Sequence, residues 1–124
     1  MARRRIDPGE GMTALRQWLA GNDGAAHVPA AVTRTAVRFT LEELVATSPG
    51  NSVEVRVPPA GAVQAVAGPR HTRGTPANVV ETDMATWLRL VTGRLTWADA
   101  LAAGAVTASG TRADLSGLLP LITR

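Results

Sequence analysis

The sequence predicts an α+β domain of two layers, with a small, mostly antiparallel sheet of about four to five strands covered by helices. Three observations lead there. Hydrophobic periodicity is helical over much of residues 8–47, alternates with period two over residues 52–57, and turns helical again after Asp83. Helical and strand-like stretches come in blocks, so helices segregate from a small sheet. Finally, 124 residues lie within the size range of one domain with its own core. Residues 1–124 therefore read as a single domain, with residues 1–6 as a loose terminus.

The first helix opens at Asp7-Pro8-Gly9-Glu10, an N-cap aspartate followed by proline at the first helical position and an acid in the first turn. Met12, Leu15 and Leu19 then share a face with Trp18 beside them, and Gly21 ends the run. Trp18 on this helix is also a candidate for a partner-facing surface. After a loop ending at Pro29, a longer helix runs to about Thr47, with Val37, Leu41, Leu44 and Val45 on one stripe and Arg38, Glu42 and Glu43 away from it. Ser48-Pro49-Gly50 stops that helix. Val53, Val55 and Val57 alternate with Glu54 and Arg56, the pattern of a strand with one wet face. Pro58 to Gly61 turn the chain into an antiparallel partner over residues 62–67, and a polar loop spans residues 68–76. A short strand over residues 77–81 leads to Asp83, which caps a helix carrying Met84, Trp87, Leu88 and Val91 at i, i+3, i+4 and i+7. Thr96 to Asp99 and Thr111 to Asp114 both have threonine with an acid three residues on, so each is expected to open a short helix. Residues 105–109 between them form the closing strand, and Leu115, Leu118 and Leu119 stripe the last helix.

Composition excludes several function classes. All thirteen basic residues are arginine, against ten acids, for a net charge of +3. The isoelectric point near 11.3 overstates the basicity, because arginine does not titrate in the accessible range. Arg3, Arg4 and Arg5 account for the whole excess. With one phenylalanine, three tryptophans and no tyrosine, the chain lacks the basic face and stacking aromatics of a nucleic-acid binder. Without cysteine there is no thiol nucleophile, redox pair or zinc–thiolate site. His27 and His71 stand in no metal-binding spacing, no serine lies in a GxSxG context, and no glycine run forms a phosphate loop. Neither catalytic residues nor a cofactor or metal are expected. No apolar run approaches the ~18 residues of a membrane span, and no hydrophobic region follows the terminal arginines as in a secretory signal, so the expected location is the cytoplasm.

From Ala77 onward the order of motifs resembles a known family. Asp83, Trp87, Leu88, Leu90, Gly93 and Leu95 follow the pattern D-x-x-x-W/L-L-x-L-x-x-G-x-L, Ala100 and Gly104 an A-x-x-x-G helix end, and Gly104 and Gly110 bracket the closing strand. This combination, over residues 50–122, resembles the sterol carrier protein (nonspecific lipid-transfer) family, closest to its short stand-alone bacterial branch. The resemblance implies a sterol-carrier-like fold: a sheet covered by helices on one face, enclosing an apolar cavity for a lipid- or sterol-like molecule, with no chemistry on it. Under that reading Val37, Leu41, Leu44, Trp87, Leu88, Val91, Leu101, Leu115 and Leu118 line the cavity. The same apolar stripes equally well fill a packed core. Arg70, His71 and Arg73 in the polar loop are candidate rim contacts for an anionic head group, and otherwise solvated arginines pairing with Glu54 or Glu81. The competing functions are a protein-interaction or homodimerisation module, and an accessory domain of an enzyme, each with a closed core and no ligand.

Overall fold

The computed structural model describes residues 4–21, 27–68 and 78–122. Helix α1 (Pro8–Ala20) is capped by Asp7, whose carboxylate accepts the Glu10 N–H at 3.1 Å. Helix α2 (Ala30–Thr47) packs along it. The two approach closely because residue 11 is glycine: a Cβ there would come within 2.7 Å of Phe39 Cβ and overlap its ring.

Strands β1 (Val53–Val57) and β2 (Gly61–Ala65) form the expected hairpin. Strand β3 (Val79–Thr82) lies parallel to β1, and β4 (Val106–Ser109) antiparallel to β3. The sheet order β2-β1-β3-β4 is thus mixed, with two antiparallel pairings and one parallel. Between β3 and β4, α3 (Met84–Val91) and α4 (Trp97–Ala102) start at Asp83 and Thr96, whose side chains accept the N–H groups of Thr86 and Asp99. Val53, Val55, Val57, Ala65, Val80 and Val106 bury one face of the sheet in the core. On the other face Arg56 stands between Glu54 (3.0 Å) and Glu81 (3.9 Å), the two carboxylates considered as partners for the loop arginines. Two layers result, helices on one side and water on the other.

The junction of α2 with the hairpin needs a close backbone approach. Gly50, at φ 149°, lies where a Cβ would overlap the Val66 carbonyl. Val66 itself holds a positive φ of 72°, a strained setting for a β-branched residue. Its backbone is clamped on both sides: Val66 N–H donates to Ser48 O at 2.7 Å and Val66 O accepts from Ser52 N–H at 3.0 Å.

The expected last helix is absent. Residues 110–122 form turns and an extended strap. Arg112 N–H donates to Asn78 Oδ1 at 2.9 Å rather than entering a helical turn. Asp114 accepts from Ser116 N–H two residues on at 2.9 Å, a local turn that competes with helix and holds its carboxyl below the usual range. Gly117 and Pro120 disfavour helix further, and the N–H groups of Leu121 and Ile122 both donate to Val91 O at 3.0 Å, seating the strap on the end of α3.

Candidate functional site

A cleft of about 860 Å³ opens beside the sheet, between α2, the β1–β2 turn and the segment before α1. Helix α2 contributes Arg38, Leu41, Glu42, Val45 and Ala46, positions at i, i+3, i+4, i+7 and i+8 that fall on one face of a helix. Opposite stand Ala60, Gly61, Ala62 and Val63. Leu41 (2 % exposed) and Ala60 are buried, and Val45 and Val63 are half-buried against the core, so the floor is apolar.

The third wall is the segment Arg4-Arg5-Ile6. It is tied to α2 through two carboxylates. Glu42 accepts Arg5 N–H at 2.9 Å and Ile6 N–H at 3.1 Å on its two oxygens, and Arg4 pairs with Glu43 at 2.8 Å. Residues 1–3 lie outside the described residues. Arg38 joins helix to turn, its Nε–H donating to Ala60 O at 2.9 Å.

Among the described residues that line it, the side chains are aliphatic or guanidinium, with Glu42 the one carboxylate and that one engaged by backbone N–H groups. Among the described residues, no three His, Cys, Asp or Glu side chains gather as a metal site, and no helix is long and apolar enough to cross a membrane.

Of the residues expected from sequence to line a cavity, Val37, Leu41, Leu44, Trp87, Leu88, Val91 and Leu115 are buried together in the core, and Leu118 is partly buried against it. Leu101 is 42 % exposed on α4. The two sets share Leu41 alone. Arg70, His71 and Arg73 lie outside the described residues. Trp18, considered for a partner-facing surface, is 1 % exposed and belongs to the core. Sequence reasoning missed the hairpin side of the cleft and the segment before α1. The available signal was the second stripe on α2, Arg38-Leu41/Glu42-Val45/Ala46, which runs beside the buried stripe and mixes apolar with charged residues.

A mixed sheet with helices over one face and a cleft with an apolar floor at its hairpin edge define a small α+β fold. A family model described as a bacterial SCP ortholog matches residues 29–121, and the chain belongs to that family, the short bacterial branch of the sterol carrier proteins. The match runs from the start of α2 to the strap and so takes in every part of the cleft except the segment before α1. No curated protein matches the chain.

Proposed function

We propose that this protein binds an apolar or amphipathic small molecule, lipid- or sterol-like, in the cleft between α2 and the β1–β2 turn, and carries it without reacting with it. The observation that supports this reading most is the 860 Å³ cleft with its floor of Leu41, Val45, Ala60 and Val63, in a chain of a carrier family. Transport needs no catalytic group. It needs apolar surface that stays accessible, and burial of ligand methylenes at ~0.8 kcal/mol each, offset by the cost of immobilising the ligand. The core residues Val37, Leu44, Trp87, Leu88, Val91, Leu115 and Leu118 stand behind the floor as a deeper lining, reached only if packed side chains move aside. The carrier is taken to act as one domain in the cytoplasm.

Ala46 tests the reading, because it is exposed and lies on the cleft face of α2. In Ala46→Trp the indole occupies the cleft. Native mass spectrometry of gently purified protein is expected to show a bound lipid mass that this variant loses, with little change in Tm. A bound mass retained by Ala46→Trp removes the cleft as the site. A ligand-free dimer in both proteins supports the interaction module instead.

A further inference from the structure

The cleft carries a charge imbalance that its apolar floor does not explain. Among the described residues, three arginines, Arg4, Arg5 and Arg38, line it together with one acid, Glu42. Glu42 is engaged by the N–H groups of Arg5 and Ile6, and Arg4 is paired with Glu43. Arg5 has no side-chain partner among the described residues, and Arg38 uses only Nε, on the neutral Ala60 carbonyl. Two arginines from elements far apart in sequence thus line one groove with an apolar floor, and neither guanidinium has a carboxylate partner among the described residues.

We infer that Arg5 and Arg38 form an anion subsite, so that the ligand is an amphiphile whose head group is a carboxylate or phosphate and whose tail lies over Leu41, Val45 and Val63. This rests on the carrier reading and adds its ligand class. Guanidinium recognises both oxyanions through paired N–H donors. Glu42 is the repulsive element in the same lining. Its charge favours a head group placed on the Arg38 and Arg5 side chains over one placed against the α2 backbone. The segment before α1, held by Glu42 and Glu43, is then part of the binding site and brings Arg5 to it. Because both arginines are exposed, the preference for an anion is moderate and weakens with salt.

The test compares oleate with oleamide, which share a tail and differ in head-group charge, by calorimetric titration of the full chain. Wild type is expected to bind oleate roughly tenfold more tightly than oleamide. Arg5→Gln/Arg38→Gln is expected to lose about that factor for oleate and much less for oleamide. Arg5→Gln alone, which removes no side-chain hydrogen bond or ion pair among the described residues, should lose part of it and guards against a folding defect. Equal affinities in wild type, or equal losses in the double variant, overturn the anion subsite and leave the carrier intact. A preference abolished by Arg70→Gln/Arg73→Gln but kept in Arg5→Gln/Arg38→Gln overturns it in favour of the loop. Inorganic phosphate binding as tightly as oleate overturns the amphiphile and leaves a site for free anions. Wild type that binds none of the three overturns both the subsite and the carrier reading.

Discussion

Trp87→Ala is expected to lower the free energy of unfolding by about 3–5 kcal/mol, a large share of the ~5–15 kcal/mol typical of a domain. Trp87 is fully buried at the centre of the core, on α3 where that helix meets α2. Its Nε1–H donates to Thr40 Oγ1 at 2.9 Å, and Thr40 in turn lies 2.9 Å from both Ala36 O and Val37 O one turn back. Deleting the indole leaves a cavity and removes the one polar link between the two helices' buried faces that the described residues contain. Thr40→Val separates the two contributions. It keeps the shape, strands the buried indole N–H, and should cost about 1–3 kcal/mol. On a Trp87→Phe background, which has no N–H to strand, the same change should cost clearly less. Urea denaturation of wild type and the four variants measures this. A Trp87→Ala loss under ~1 kcal/mol would mean that the core re-closes and that packing here is loose.

Asn78→Ala carries the second large effect, about 2–4 kcal/mol, the cost of leaving one buried and one part-buried backbone group without partners. Asn78 is buried just before β3. Its Nδ2–H donates to Ser52 O at 2.8 Å, its Oδ1 accepts from Arg112 N–H at 2.9 Å, and its backbone O accepts from Glu54 N–H at 3.0 Å. One side chain therefore joins the start of β1 to the strap after β4. Asn78→Asp keeps the acceptor for Arg112 but sets a buried carboxylate oxygen against the Ser52 carbonyl, so at neutral pH it should destabilise at least as much as Asn78→Ala. The same denaturation curves decide it. Two variants within 0.5 kcal/mol of wild type would show the clasp to be dispensable.

What could be read from the chain alone was mostly local. Asp7, Asp83 and Thr96 cap the helices assigned to them, because the donors they satisfy lie within a turn. The valines of β1 point inward as their alternation requires. Thr111 and Asp114 repeat the Thr96 and Asp99 signature without making a helix, because the Arg112 N–H is taken by Asn78, thirty-four residues away. No local pattern displays a competitor so distant. The parallel pairing of β1 with β3 is non-local in the same way. The cleft is the clearest case. Its walls come from residues 4–6, 38–49 and 60–63, and only the α2 wall had a periodic pattern to follow. Hydrophobic stripes identified the core, which is where large apolar side chains go in any domain. The surface left between that core and the hairpin edge depends on how the pieces meet.

Where an apolar ligand sits decides between the cleft and the core as the binding site. An amide NMR titration of the full chain with oleate answers this most directly. If the cleft is the site, the largest shifts fall on Leu41, Val45, Ala46 and Val63, while Trp87, Val91 and Leu115 in the core move little. Shifts centred on Trp87, Val91 and Leu115, or none at saturating oleate, would contradict it.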